Sequence, residues 1–523
     1  MRNRPLILAS LLLAAFAINL DTTIVNVALP TLVRDLHASN SQLQWIVDAY
    51  NLVFAALLLS AGSLSDRFGR KGMLLTGLAV FGLGSAVGGL TSTPGQLIAA
   101  RCVMGLGAAM VFPATLSIIS NVFVDRAERA RAIGLWGATA GIAIATGPIF
   151  GGWLLERFSW SSIFFAMVPV AMLGAALVAR SVPTSRDPSA GRIDRGGLVL
   201  STAAMALLIY TIIEAPNQGW GSARSLSGFA LALLLFAAFV YWERRSREPM
   251  LDVSLFRNPR FTAASGSVTI AFFALFGFIF LITQYFQFFK GYGPLSAGLH
   301  LLPVATCVGI GSVLGTKLAV RFSTKLVVAA GLLMMAAFYG WVSAAGVSTP
   351  YSTIAVQMVI FGTGMGFTSA PATEAIMGVV PRHKAGVGSA VNDATRLLGG
   401  TLGVAVIGSV YASLYTSRLT HLLPAELPQR LAHAAHESVG GALVVAGNLA
   451  RAGDPALGGI VRDAARSAFF QGFGAANLLA AGVAAAGAVM ALALLPARPT
   501  QAEDEAAARQ EPSASAEPLP ALD

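Results

Sequence analysis

The sequence predicts an all-α membrane protein with fourteen transmembrane helices. They form two six-helix bundles, with two further helices inserted between them. Three observations lead there. Of 523 residues, 55% are hydrophobic and only 11% charged, whereas a soluble domain carries about a quarter charged residues. So few charges cannot coat a water-facing surface, and most of the chain must be solvated by lipid. Second, apolar runs long enough to cross a hydrocarbon core of ~30 Å recur along the whole chain. Third, segments of the first half return in the second.

Span 1 starts at Leu6, behind Arg2 and Arg4, and runs to about Pro30. It has no small-residue cleavage site and more spans follow, so it reads as a span and not as a removed leader. Further runs lie near 46–64, 73–91, 97–121, 131–154, 161–180, 197–214, 226–242, 262–289, 296–316, 326–346, 352–379, 390–415 and 469–496. With the N-terminus inside, most of the 35 Lys and Arg residues fall in inner segments. The short outer loops keep few, among them Arg34, Arg157, Arg224 and Lys290. This is the positive-inside pattern of a multi-pass plasma-membrane protein, and an even span count puts both termini in the cytoplasm. The net charge of +10 therefore reports topology, and no nucleic-acid partner is expected. Cys102 and Cys307 lie in apolar runs, which rules out a disulfide framework and leaves no Cys/His metal spacing. No metal or cofactor is expected.

The repeat sets the domain plan. Leu64 to Lys71 follows span 2 and Leu318 to Lys325 follows span 10, with matching Leu, Arg, Phe and Lys positions. Pro113-Ala114-Thr115 in span 4 returns as Pro371-Ala372-Thr373 in span 12, at nearly the same offset. Six spans do not fill that offset, and spans 7 and 8 supply the remainder. The expected divisions are 1–182 for the first bundle, 183–258 for the insert, 259–497 for the second bundle, and 498–523 for a disordered cytoplasmic tail. A long outer loop with helix-prone stretches and scattered charge falls at about 416–467. Internal repeats of this kind mark secondary transporters.

The segment after span 2 contains Gly62, Asp66, Arg67, Gly69, Arg70 and Lys71. It is too polar for the bilayer and is expected to turn through its glycines. Asp66 should then lie near the start of span 3, where a carboxylate suits the positive helix end. Such a charge cluster either latches one conformation or simply enforces inner topology. The segment strongly resembles the loop 2–3 signature of the major facilitator superfamily, and the resemblance extends along most of the chain. Leu20 to Pro30 is similar to the span 1 signature of the fourteen-span drug:proton antiporters. Arg101 to Ala109 resembles the span 4 motif. Gly137, Gly141, Gly147, Pro148, Gly151 and Gly152 resemble the span 5 motif associated with exporters. Pro249 to Phe261 is typical of the fourteen-span branch. The second-half octet departs from the signature, with Val320 in place of its acid and Ser323 in place of its second Gly. The resemblance implies the major facilitator fold, a proton-coupled export activity and a central cavity bordered by span 9.

Asp21 is the leading candidate for proton coupling. It lies ~15 residues into span 1, or ~22 Å from the inner edge at 1.5 Å per residue. An ionised carboxylate there costs several kcal/mol unless water or a cation meets it. Proton and cationic substrate could then compete for one site; the alternative is a structural Asp bonded to Thr22 or Asn26. Arg101, ~8 Å below the outer edge of span 4 by the same rise, sits at a similar depth. It either tunes Asp21 or ties two helices permanently. Asp48, early in span 2, is either a second protonatable group or a carboxylate reaching the outer interface.

Four other groups of residues call for a reading. The span 5 glycines and Pro148 allow close packing or a bend that gates the path. On span 9, Phe272, Phe276 and Phe280 share one helical face. Together with Tyr50 and Gln284 they form a candidate aromatic substrate surface for lipophilic cations, although lipid contact explains many single rings. Glu374 lies near the inner end of span 12, and Asp393 with Arg396 near the inner start of span 13. The latter two form an i,i+3 pair whose default is local charge compensation, the alternative being a role in substrate or proton passage. His433 and His436 read as surface histidines without a third ligand. The chain has no Gly-Lys-Ser/Thr nucleotide loop and no His-Glu-x-x-His motif, so neither an ATP motor nor an enzyme is expected.

The function expected from all this is a monomeric, proton-coupled secondary exporter of lipophilic, cationic drugs, working by alternating access. The alternative is a dedicated exporter of an endogenous metabolite, lipid or antibiotic. Its partners are small-molecule substrates, protons and the lipid bilayer.

Overall fold

The computed structural model describes residues 4–123, 126–185, 194–246, 249, 253–379 and 385–496. Among these no strand occurs and seventeen α-helices follow one another. They are α1 (Arg4–Leu36), α2 (Asn40–Phe68), α3 (Arg70–Gly89), α4 (Pro94–Val122), α5 (Arg126–Arg157), α6 (Ser162–Ser181), α7 (Arg195–Gln218) and α8 (Ala223–Arg245). Then come α9 (Pro259–Gln284), α10 (Pro294–His300), α11 (Leu302–Arg321), α12 (Thr324–Val342) and α13 (Tyr351–Val379). The chain continues with α14 (Ala385–Leu422), α15 (Gln429–Glu437), α16 (Val439–Arg451) and α17 (Pro455–Leu494).

Local chemistry sets where these helices start and stop. Ser39 closes a capping box with Gln42 at the start of α2. Thr93 accepts from the Gln96 amide before α4, and Pro94 occupies its first turn. Asp194, Ser222, Asn258, Ser323, Ser438 and Asp454 cap α7, α8, α9, α12, α16 and α17 in the same manner. Each side-chain oxygen satisfies one amide that the helix itself leaves unpaired. Gly69 ends α2 at φ 114°, a left-handed geometry that a side chain resists.

Twelve helical segments among the described residues are long and apolar enough to cross a membrane. They comprise α1, α3, α4, α6 to α9, the α10–α11 pair, α12, α13, α14 and α17. The other two long helices, α2 and α5, have 29 and 32 residues. Exposed Leu226, Leu231, Leu233 and Leu234 on α8 form the kind of surface that only lipid solvates well.

Packing pairs recur along the chain. In the first group α1 packs on α4, α5 and α6, α4 packs on α2 and α3, and α3 packs on α6. In the second, α9 packs on α13, α14 and α17, α13 packs on α11 and α12, and α12 packs on α17. Helices α7 and α8 pair with each other, and α7 leans on α2 and α14 between the groups. Among the described residues, the side-chain hydrogen bonds bridging the two groups lie at the end remote from the N-terminus, here called the distal end. Gln44 of α2 donates to the Ala405 carbonyl of α14 at 3.0 Å. Gln287, after α9, donates to the Val27 carbonyl of α1 at 2.9 Å. Glu156 at the end of α5 accepts from the Leu295 amide in the first turn of α10 at 3.3 Å.

Several boundaries differ from the sequence expectation. The apolar run at 296–316 is two helices, because Leu301 breaks the chain between α10 and α11 and Pro303 sits in the first turn of α11. Span 9 ends in a π-helical turn, Tyr285–Phe289. The expected loop at 416–467 is mostly helical, since α14 and α17 run on into it and α15 and α16 fill the interval. Asp66 does not start α3. Gly62 is helical, α2 continues through Asp66 to Phe68, and the turn falls at Gly69 alone. The tail expected at 498–523 and residues 250–252 of the Pro249 to Phe261 segment lie outside the described residues.

Candidate functional site

Asp21 and Arg101 meet in the interior of the first group. The Arg101 guanidinium donates to the Asp21 carboxylate in a short ion pair, with Asp21 1% and Arg101 0% exposed. Arg101 Nε donates to the Ile46 carbonyl of α2 at 2.9 Å. The guanidinium carbon lies 4.3 Å from the Tyr50 ring centroid, a cation–π contact away from water. Tyr50 in turn donates to the Ile18 carbonyl of α1 at 3.1 Å. One arginine therefore joins α1, α2 and α4. Its Nη2 is buried and makes no hydrogen bond, so that nitrogen keeps its N–H donors unused.

Glycines allow this convergence. A Cβ at Gly105, one turn beyond Arg101, would lie 2.6 Å from the Tyr50 carbonyl oxygen. Only glycine lets α4 approach α2 so closely. A Cβ at Gly151 would lie 2.6 Å from Ile24 Cγ1, so α5 seats on α1 one turn beyond Asp21. Gly147 rests in the same way on Thr23, whose hydroxyl reaches the Ala143 carbonyl at 3.2 Å. The other side of this motif faces the second group: Gly152 abuts Pro294 and Leu295, and Pro148 abuts Gly298. The backbones of α5 and α10 thus touch across the distal end. Nothing is described of the surroundings of Gly137 and Gly141.

Asp48 is buried at 0% exposure, and neither carboxylate oxygen makes a hydrogen bond. One turn on, Asn51 is buried with both side-chain polar atoms equally unpaired. Gln44, Asp48 and Asn51 make a polar stripe down α2 at four- and three-residue spacing. The sequence reading singled out Asp48 and missed Gln44 and Asn51, although that spacing was visible. It also missed Glu156, which reads as an ordinary terminal acid until α10 is placed against it.

The remaining candidates separate into two environments. Arg396 lies over the Phe272 ring at 5.3 Å and pairs with Asp393 at 3.9 Å. It also donates to the Thr373 hydroxyl at 3.3 Å, which reaches Asn392 Oδ1 at 3.1 Å. Phe276 packs on Gly400 of α14, while Glu374 is exposed. Of the residues assigned to a substrate surface, Phe272 is half-buried. Tyr50, Phe276, Phe280 and Gln284 are buried. In the segment after α2, Lys71 donates to the Ala179 carbonyl at the end of α6 at 2.7 Å, and the Arg70 amide donates to the Ser185 carbonyl at 3.0 Å. Arg67 is exposed, and the side chain of Asp66 is outside what the structure describes. His433 pairs with Glu437 at 3.5 Å on α15. Among the described residues no group of three His, Cys, Asp or Glu side chains could hold a metal.

Comparison with known proteins places this arrangement in context. A sequence profile of the Major Facilitator Superfamily matches residues 11–404. The multidrug efflux pump LfrA of Mycolicibacterium smegmatis is 36% identical over 93% of this chain and 95% of its own length. The methylenomycin A resistance protein of Streptomyces coelicolor is 35% identical over 75% of this chain and 83% of its own. A solved bacterial homologue of the human lysosomal transporter Spinster, inward-facing and occupied, superposes with a TM-score of 0.67 at 17% identity. It covers 94% of this chain and 98% of that one.

Proposed function

The chain belongs to the major facilitator superfamily, and from that premise we propose that it exports lipophilic cationic drugs in exchange for protons. It acts as a multi-span membrane transporter and not as an enzyme. The observation that carries the proton-coupled reading is the buried Asp21–Arg101 pair. A carboxylate held away from water beside a guanidinium with a spare donor can exchange its ion pair for a proton when the cavity opens. A cationic substrate entering there competes for the same carboxylate.

Fourteen spans are proposed, with α2 and α5 crossing alongside the twelve apolar segments. The N- and C-termini then lie in the cytoplasm of a plasma-membrane protein, and the distal end is outer. Hydrogen bonds between the groups at that end suit a state closed to the outside. Alternating access requires Gln44, Gln287 and Glu156 to release their partners as the α1–α6 and α9–α17 groups rock. The α5–α10 backbone contact acts as the outer seal, and the segment from Gly62 to Lys71 controls the inner gate. Phe272 with Arg396 supplies an aromatic and polar wall in the second group. Asp48 serves as a second protonatable group, which would let the exchange draw on membrane potential.

A dedicated exporter of one antibiotic is the second reading. It is favoured by the likeness to the methylenomycin A resistance protein. Proteoliposomes carrying the purified chain distinguish the readings. Tetraphenylphosphonium and ethidium should both move against their gradients when a pH gradient is imposed, and stop when it is collapsed. Movement that ignores the gradient would overturn proton coupling, and movement of a single compound class would favour the dedicated exporter.

A further inference from the structure

We propose that the distal face carries a second ligand site, apart from the Asp21–Arg101 pair, that takes a small organic cation bearing N–H donors. A cavity of about 370 Å³ lies between the start of α2, the end of α7, the end of α14 and helix α15. Its lining includes Asn40, Gln44, Asn217, His433, His436 and Glu437. At ~30 Å³ per water in the liquid, that volume equals about a dozen waters, room for a ligand of roughly ten non-hydrogen atoms.

The lining selects the ligand's chemistry. Gln44 Nε2 donates to the Val404 and Ala405 carbonyls at 3.2 and 3.0 Å. Carbonyls only accept, so the amide is held in one orientation with Oε1 as a fixed acceptor. That oxygen is buried and makes no hydrogen bond, and neither does Asn40 Oδ1. Gln44 is 1% and Asn40 5% exposed, so water does not freely satisfy either one. Glu437 adds a carboxylate, and no Lys or Arg lines the cavity. Burial and the neighbouring His433 hold His436 below the usual histidine range, so it adds no positive charge at neutral pH. Two idle acceptors and one carboxylate, itself 3.5 Å from His433, match an ammonium, amidinium or guanidinium group.

The site has a mechanical consequence. Gln44 on α2 already grips α14 across the two groups, and the lining draws on both helices. A ligand bound there makes its contacts only while the distal end is closed, so it favours that state over the open one. The binding itself does not depend on the chain being an exporter.

The test uses the full chain in lipid nanodiscs, with benzamidinium as probe and benzamide as its neutral isostere, measured by titration calorimetry. Benzamidinium should bind saturably and benzamide about tenfold or more weakly. Glu437→Gln, a change at a half-exposed position, should weaken benzamidinium about tenfold without lowering the melting temperature. Asn40→Leu should weaken it further, and the double variant Asp21→Asn/Arg101→Gln, in which no charge is stranded, should still bind benzamidinium at this site. Equal binding of benzamidinium and benzamide, indifference to Glu437→Gln, or loss of binding in the folded double variant would each overturn the site.

Discussion

Replacing Asp21 by Asn leaves Arg101 fully buried with no counter-ion. The Ile46 carbonyl and the Tyr50 ring stay in place, but neither carries a negative charge. Removing one partner of a buried ion pair costs ~3–5 kcal/mol, because the remaining charge is stranded. Asp21→Asn should therefore lower the thermal stability of the purified protein as well as abolish gradient-driven efflux. Stability and coupling separate in the double variant Asp21→Asn/Arg101→Gln, in which no charge is stranded. Most of the lost stability should return, because the desolvation cost leaves with the guanidinium. Efflux should not return, because the carboxylate for which proton and cation compete is gone and Asp48 alone does not replace it. The assay pairs unfolding temperatures with pH-gradient-driven drug transport for the four proteins of the cycle. A pair that merely tied α1 to α4 would regain transport together with stability. That result, or wild-type coupled efflux by Asp21→Asn alone, would refute a proton-carrying role.

Three other perturbations follow from the geometry. Gly152→Leu drives a side chain into Pro294 and Leu295. Overpacking of this kind costs ~1–3 kcal/mol, which should shift the population from distal-closed toward distal-open by about five- to 150-fold, read as spin-label distances across that end. Asp48→Asn removes a buried carboxylate whose oxygens make no hydrogen bond; the melting temperature should rise while the number of protons moved per substrate falls. The low proton affinity of His436 in the fold means that the unfolded helix binds protons more readily. Docking of α15 is therefore complete above about pH 6.5 and weakens as pH falls through that value. Hydrogen exchange over residues 429–437, corrected for intrinsic rates, should quicken at pH 5, and His436→Gln should remove that dependence.

Much of the helical arrangement was legible because lipid imposes a simple rule: every run long enough to cross must satisfy its own backbone. The depths of Asp21 and Arg101 followed from 1.5 Å per residue, and the two side chains do meet. Their third partner was harder to read. Tyr50 looked like a cavity aromatic, yet it lies beneath the guanidinium, a position set by the close approach at Gly105. The turn after α2 was placed too early, because Gly62 and Gly69 look alike as letters and only Gly69 takes positive φ. The bridging roles of Gln44 and Glu156 depend on helices some 140 to 360 residues away in sequence. No local pattern encodes such pairings. The same is true of α15 and α16: their helix-prone stretches were visible in the sequence, but not the surface they cover.

Proton release from everted membrane vesicles tests the central claim most directly. With an imposed pH gradient, several unrelated lipophilic cations should each release protons in vesicles containing the protein and in none lacking it. The release should vanish with Asp21→Asn. Substrate transport by confirmed, folded protein with no accompanying proton movement would contradict proton-coupled export.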